Sequence, residues 1–420
     1  MASFLFLTGV SSSDELGRNG RMHMNIIVQK YGGSSVATTE KIKNIAKKVV
    51  GKASQGNVMV IVLSAMGKTT NHLIQLSEEV SSKPDKRELD QLLSTGEIVS
   101  ISLLAMAIKE LGYDAVSYTG YQISIETTDT HGEGSIKDIN SKKIMEELKQ
   151  GKIVIIAGFQ GMNSVGDMTT LGRGGSDTTA VALACKLHAK CEIYTDVDGI
   201  YSTDPRKYDL ARKLDYISYE EMMELSCLGA KVMHARSVEL ASKYNIPIYV
   251  GLSTENQGGT YIMNNEDMEL KTVTGMATNN DDIVIHIKDI EGNINIISKL
   301  FNIIAENNIS IDMISQTAPV NKMVSVSFTI PMIKKSQCMD LLTKYVQENQ
   351  INVEENITKF SVVGLGMRNA TGVAAKVFRL FDENHIEVKM ITTSEIRITC
   401  AINRSDEEKA VSIIAQEFNL

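Results

Sequence analysis

Between Asn25 and about Met263, short apolar runs alternate with stretches whose apolar residues recur at helical spacing. Runs at 25–30, 57–63, 114–118, 152–157, 191–195 and 246–250 predict strands, and 39–51, 88–111, 141–149 and 176–188 predict helices. This βα rhythm implies an α/β fold, with a mostly parallel sheet sandwiched by helices. Ligands then belong outside the carboxyl ends of the strands. The glycine-rich and polar segments gather in the loops that follow those strands, in agreement with that rule.

From about residue 271 the spacing tightens and a repeat emerges. Ile283-Val284-Ile285-His286-Ile287 leads to a helix near 294–307, then to strands at 309–314 and 324–330. Phe360-Ser361-Val362-Val363 leads to a helix near 372–384, then to strands at 386–391 and 396–401. Ile-Ser-Ile-Asp-Met-Ile at 309 and Ile-Glu-Val-Lys-Met-Ile at 386 mark corresponding points of two βαββα units, an internal duplication. The first unit closes with a helix near 335–348 and a strand at 351–354. The second ends with a helix near 406–417, three residues before the last, and lacks a fourth strand. Lys271 to Ala277 is strand-like and has no other partner. It is expected to complete the second unit, so that the first is inserted into the second and both read βαββαβ (ferredoxin-like).

Composition narrows the possibilities. The chain has 420 residues, 43% hydrophobic and 22% charged, ordinary for a globular protein of several domains. No apolar run reads as a membrane span. A net charge of −8 and a pI near 5.5 argue against a nucleic-acid partner. Cys185, Cys191, Cys227, Cys338 and Cys400 are odd in number and match no metal or CxxC spacing, so they read as reduced thiols of a cytoplasmic protein. Residues 1–23 read as a leader or tag with no folding role, since Ser3-Phe4-Leu5-Phe6-Leu7 is too short for a signal core and no basic residue precedes it.

Two glycine-rich loops carry the candidate chemistry. Lys30-Tyr31-Gly32-Gly33-Ser34-Ser35 follows the first strand, and Thr169-Thr170-Leu171-Gly172-Arg173-Gly174-Gly175-Ser176-Asp177 lies downstream of 153–157. Glycines past a strand end let backbone N–H groups approach an anion, and Lys30 and Arg173 add positive charge. The pair suits two anionic partners, such as a phosphate and a carboxylate, although each loop alone is compatible with a tight turn. Gly67-Lys68-Thr69 is not a P-loop, because Val62 stands where the first glycine is required. That segment offers Ser64 and Thr70 at a strand end, or simply a helix cap. Glu97 alone reads as a surface acid unless it shares the cleft of Arg173. Asp196 to Arg206 is a turn-rich loop in which Tyr201 could flank a purine and Arg206 could reach phosphates, or in which Asp196 and Asp204 form Asx-turns. His131 and Glu133 have no metal-ligand spacing, and no metal site is expected.

Taken together and in this order, Lys-Tyr-Gly-Gly-Ser-Ser, Leu-Ser-Ala, Thr-Leu-Gly-Arg-Gly-Gly-Ser-Asp, Tyr-Thr-Asp-Val-Asp-Gly-Ile-Tyr and Gly-Ala-Lys-Val-Met-His resemble the aspartokinases. The resemblance spans residues 25 to 420. It implies an amino-acid-kinase-like domain over 25–263, a first ACT unit over 282–355, and a second ACT unit from 271–277 plus 358–420. It implies ATP-dependent phosphorylation of L-aspartate to 4-phospho-L-aspartate, the first step towards lysine, threonine and methionine. Lys30, Asp177 and Lys231 would be catalytic, with Lys30, Gly32, Gly33 and Ser34 at the transferring phosphoryl group. Arg173 and Glu97 would clamp the α-carboxylate and α-ammonium of aspartate, with Ser64 and Thr70 nearby. Thr195, Asp196, Tyr201, Arg206, Lys231 and Val232 would line the ATP pocket, and Mg²⁺ would travel on ATP oxygens. Ala235 stands where the family commonly has proline, and Lys68 is unusual in its loop.

Other amino-acid kinases, such as glutamate 5-kinase or acetylglutamate kinase, share the glycine loops but not the paired C-terminal units. A pure amino-acid sensor would not need Lys30, Arg173, Asp177 and Lys231 intact. ACT-like units commonly pair edge to edge and bind small amino acids where they meet, which implies a homodimer or a dimer of dimers. Asp289, Ser310, Asp312 and Gln316, with Ser394 and Glu395 from a facing unit, are the effector candidates. Their acidity suits lysine first and threonine second, although Asp312 and Gln316 are also compatible with strand capping.

Overall fold

The computed structural model describes residues 24–230, 232–254, 258–264, 271–291 and 294–420, and for Ile294 and Asn295 their backbone alone. The expected leader 1–23 and Lys231 lie outside the described residues. In chain order the first stretch runs β1 (Ile26–Tyr31), α1 (Thr39–Ala53), β2 (Val58–Leu63), α2 (Thr69–Val80), α3 (Lys86–Leu93), α4 (Thr95–Glu110), β3 (Ala115–Tyr118), β4 (Ile125–Thr127), β5 (Ile136–Ile139), α5 (Lys142–Lys149), β6 (Ile153–Ala157), β7 (Gln160–Met162), β8 (Met168–Thr170), α6 (Gly175–Leu187) and β9 (Lys190–Thr195). β10 (Tyr216–Ile217), α7 (Tyr219–Leu228), α8 (Ala235–Tyr244), β11 (Ile248–Leu252) and β12 (Thr260–Ile262) follow. Contacts divide the chain into two compact units, one of residues up to 198 with 240–259, the other of 199–239 with 260–420.

In the first unit the strands lie parallel in the order β11-β9-β1-β2-β6-β3. Side chains alternate between the two faces of each strand. Ile27, Tyr31, Ile61, Leu63 and Ile155 join Ile42, Ile45 and Val49 of α1 and Leu104 and Ile108 of α4 in one core. Val28 and Lys30 therefore point to the opposite face, where α6 packs on β1, β2 and β9. α6 is buried along almost its whole length. A side sheet, β5-β4-β7-β8, was not legible in the sequence, because each of its strands is only three or four residues long. The stretch expected as one helix over 88–111 is broken at Ser94 into α3 and α4. Taken together, Lys86–Glu110 is long and apolar enough, by length and composition alone, to cross a membrane. Half of its most apolar window is buried inside the protein, as in a core helix.

The second unit contains the duplicated pattern. β13 (Gly275–Asn279), β14 (Asp282–Glu291), α9 (Ile294–Glu306), β15 (Ile314–Gln316), β16 (Met323–Pro331), α10 (Lys335–Leu342) and β17 (Ile351–Glu354) come first. β18 (Ile357–Val363), α11 (Val373–Glu383), β19 (Val388–Thr393), β20 (Arg397–Asn403) and α12 (Glu407–Phe418) complete it. The antiparallel sheets run β15-β16-β14-β17 and β13-β18-β20-β19. β13 thus stands beside β18 as β17 stands beside β14. Its pairing begins at Gly275 opposite Val363, four residues later than the strand expected from 271. The strand expected over 309–314 also starts later, at Ile314. Before it the backbone is held by a side chain, Thr329 Oγ1 accepting from Met313 N at 3.0 Å. The helix expected over 335–348 stops at Leu342, after which the chain turns.

Segment 199–239 clusters with these sheets, whereas the sequence grouped it with the kinase-like pattern. Ser218 and Glu221 form a capping box at the start of α7. The second carboxylate oxygen of Glu221 then accepts from Thr274 Oγ1 at 2.6 Å and from Leu365 N at 3.0 Å. Arg397 pairs with Glu224 at 3.0 Å and Arg368 with Glu220 at 2.6 Å. The two sheets meet each other through Val284, Met313, Ile357, Met390 and Ala401. At the rim of that core Lys359 on β18, its side chain 4% exposed, reaches Asp282 at 2.5 Å and Asp312 at 2.6 Å. Burial works against the charge on Lys359, and the two carboxylates outweigh it, so its affinity for the proton rises. Lys359→Met should therefore destabilise this unit by about 3 kcal/mol, since it strands two acids around an apolar side chain. Urea denaturation followed by far-UV circular dichroism reads the shift; an unchanged midpoint would show the triad to be dispensable.

Candidate active site

β1 ends between β2 and β9, and its neighbours define where the chain can turn. Gly32 N donates to Tyr194 O at 3.1 Å, and Gly67 N donates to Gly33 O at 2.9 Å. A β-carbon on Gly33 would stand 2.9 Å from Ala65 O, so only glycine lets these two strand-end loops approach so closely. Ser34 is exposed beside them, and Lys41 Nζ donates to its carbonyl at 2.8 Å. Ser64 and Thr70 flank the same loop, both half-buried. Neither threonine caps α2. Lys68 occupies the N-cap without a side-chain bond, and Thr69 Oγ1 donates to Met66 O at 2.6 Å.

Lys30 emerges on the α6 face of β1. Its Nζ lies 2.5 Å from Asp177 Oδ1, with both side chains nearly buried. Asp177 sits in the first turn of α6, where the helix dipole also favours an anion. The turn before that helix is Gly172-Arg173-Gly174, with φ of +73° and +68° at the glycines, a region that side chains with a β-carbon rarely adopt. Arg173 is held at its apex, exposed, and pairs with no acid among the described residues.

Glu97, which the sequence alone would leave on the surface, is 2% exposed in the first turn of α4. Its Oε1 accepts from Ala65 N at 3.0 Å, while Oε2 is buried without a hydrogen-bond partner. Burial drives its pKa up from 4.5 to about 7, only partly opposed by the Ala65 N–H.

Thr195 and Asp196 close β9, where Thr195 Oγ1 donates to Asp196 Oδ1 at 2.9 Å and accepts from Asp196 N at 2.6 Å. The first unit thus gathers Lys30, Gly32, Gly33, Ser34, Ser64, Thr70, Glu97, Arg173, Asp177, Thr195 and Asp196 at or beside the carboxyl ends of its strands. Tyr201, Arg206 and Val232 belong to the second unit. Arg206 forms a bidentate pair with Asp204, at 3.0 and 2.7 Å, rather than standing free. Lys231 lies outside the described residues. Of the effector candidates, Asp289 has φ +50° beside the bulge in β14, while Ser310 and Gln316 are exposed. Asp312 is engaged by Lys359, a contact within the chain that its sequence gave no reason to expect. Ser394 turns the β19–β20 hairpin, and Glu395 meets Arg368 at 3.2 Å. Among the described residues no cluster of three or more His, Cys, Asp or Glu side chains could hold a metal.

Sequence reasoning missed Asp90, which is 1% exposed and bonded to His131, Gly132 and Thr170. The available signal was an acid three residues before Leu93, on the apolar side of a short helix.

Comparison with known proteins agrees with the fold. Residues 25–251 match the model of the amino acid kinase family, and 360–418 match an ACT domain. The chain is 44% identical to aspartokinase 2 of Bacillus subtilis over 402 residues, which is 94% of this chain and 98% of that protein. E. coli aspartokinase III in complex with aspartate and ADP (R-state) superposes with a TM-score of 0.78 at 27% identity, covering 92% of this chain and 98% of that one. The same enzyme with lysine and aspartate (T-state) gives 0.75 at 26% identity, covering 94% and 99%.

A protonated Glu97 is favoured by burial, so between pH 4.5 and about 7 the folded state binds more protons than the unfolded state and loses stability as pH rises. Glu97→Gln removes that loss. Relative to the parent it should gain about 3 kcal/mol between pH 4.5 and pH 8, read by urea unfolding at both values. A constant difference across that range would mean Glu97 is not held away from water.

Proposed function

The chain belongs to the aspartokinases, and from that membership we propose how its strand-end loops transfer the terminal phosphoryl group of ATP to the side-chain carboxylate of L-aspartate. The Lys30–Asp177 pair at the end of β1 carries the reading. A carboxylate near neutral pH is already a nucleophile and needs no general base. The difficulty is bringing two anions together, which calls for fixed positive charge and N–H groups where charge develops. Lys30, ordered by Asp177, supplies that charge, and the backbone of Gly32, Gly33 and Ser34 supplies donors. Arg173 takes the α-carboxylate of aspartate and Glu97 its ammonium, with Ser64 and Thr70 beside them. Thr195, Asp196, Tyr201, Arg206, Lys231 and Val232 hold ATP, and magnesium arrives on the nucleotide's oxygens as part of the substrate.

Control is allosteric and runs through the two ACT units, 282–355 and 271–277 with 358–420. Lysine is the first effector and threonine the second. The lysine complex of the E. coli enzyme supports that order, as do the acids at Asp289 and Glu395. The three exposed residues of edge strand β15 support association of copies through these units, as a homodimer or dimer of dimers. Cysteines that are all free suit a cytoplasmic enzyme.

With aspartate, Mg-ATP and hydroxylamine, hydroxamate formation should depend on all three. Lys30→Ala should lower kcat by about a thousandfold or more while changing the aspartate KM little; near-normal turnover would remove Lys30 from the phosphoryl group. Lysine should inhibit without competing with aspartate, and Gln316→Ala should relieve inhibition while leaving uninhibited turnover intact. Calorimetry and kinetics with no response to lysine or threonine, singly or together, would reject the effector assignment.

A further inference from the structure

Helix α3 presents Arg87 and Asp90 three residues apart, hence on one face, and Ser94 is its C-cap. The helix and its cap are fastened to the β7–β8 hairpin at three points. Arg87 Nε donates to Asp167 Oδ1 at 2.9 Å, Thr170 Oγ1 donates to Asp90 Oδ1 at 2.5 Å, and Gln160 Nε2 donates to Ser94 O at 2.9 Å. Thr170 ends β8, and Arg173 follows three residues later. At its other end α3 runs through Ser94 into α4, whose first turn carries Glu97.

The central fastening reaches further than the hairpin. Besides Thr170, the carboxylate of Asp90 accepts from Gly132 N at 3.0 Å and contacts His131 Nδ1 at 2.8 Å. The 131–134 loop in turn braces the arginine's turn. Gly134 N donates to Thr170 O at 2.8 Å, and a β-carbon on Gly172 would stand 3.1 Å from Gly132 O. One buried carboxylate therefore ties together the helix leading to Glu97, the loop behind Gly172 and the strand leading to Arg173. Hydrogen bonds to a buried charge are among the stronger ones, and they cannot be exchanged for water at this depth.

We propose that Asp90 is a positioning residue for aspartate recognition, fixing Arg173 and Glu97 in one frame so that both ends of an α-amino acid are read at a set separation. The proposal rests on the assignment of Arg173 and Glu97 to the substrate's α-groups. His131 acts here as a brace for the 131–134 loop through its contact with Asp90. Asp90 is bonded to His131, Gly132 and Thr170 and is not one of the residues assigned to the nucleotide or the reacting carboxylate, so its removal should loosen substrate binding without slowing the transfer from bound substrate.

The test is steady-state kinetics of the full chain carrying Asp90→Asn, Thr170→Val or Arg173→Ala, with amide hydrogen exchange over residues 169–175. Asp90→Asn keeps the volume but turns a donor towards donors. It should raise the aspartate KM about tenfold or more, with kcat and the ATP KM within about twofold, and should quicken exchange in the turn. Thr170→Val removes one bond at constant size and should do the same more weakly, so the test survives if Asp90→Asn folds poorly. Combining Asp90→Asn with Arg173→Ala should cost less than the product of the separate effects, because both act through one contact. An unchanged aspartate KM in Asp90→Asn beside a raised one in Arg173→Ala would overturn the proposal alone. So would equal rises in both Michaelis constants, or unchanged exchange. An unchanged aspartate KM in Arg173→Ala would instead overturn the assignment of Arg173, and this proposal with it.

Discussion

The first unit is arranged around an ammonium held 2.5 Å from a carboxylate where β1 passes under α6. Lys30 can be there because strand alternation sends it to the face opposite Tyr31, and Asp177 can be there because it opens a helix buried on nearly every side. A lysine so placed loses its conformational freedom, which under the proposed reading lets it act on an incoming phosphoryl group without reorganisation. The close passage of Gly33 against Ala65 and the left-handed glycines around Arg173 follow from the same need, to bring backbone and charge to the ends of neighbouring strands.

Buried acids divide the remaining labour according to whether they are satisfied. Asp90 is satisfied by two segments, residues 131–132 and Thr170. Glu97 has one donor and an unpartnered oxygen, and burial raises its pKa to about 7. Asp282 and Asp312 share Lys359 and hold two sheets in register across their common core. In each case the same physics applies: a charge taken out of water needs either a fixed partner or a ligand.

In the second unit, Glu221 completes a local capping box with one oxygen and accepts from the Thr274 hydroxyl and the Leu365 N–H with the other. α7, which precedes the Gly229-Ala230-Lys231 segment, is thereby tied to the sheet containing β13 and β18.

Much was determined by the chain itself. The long central strands, the helices between them, the duplicated C-terminal pattern and the strand borrowed for its second copy were readable because each rests on local periodicity or on a count of strands. The glycine loops with Lys30, Arg173 and Asp177 were readable because close backbone approach demands glycine wherever the rest of the chain goes. The side sheet, the late start of β15 and the assignment of 199–239 to the second unit were not, since short strands lack periodicity and those contacts join distant segments. Glu97 and Asp90 show the limit most clearly. Both are acids on helices, as a surface residue would be, and their burial depends on what packs over them. Only tertiary structure decides that, because desolvation is a property of the surroundings and not of the residue.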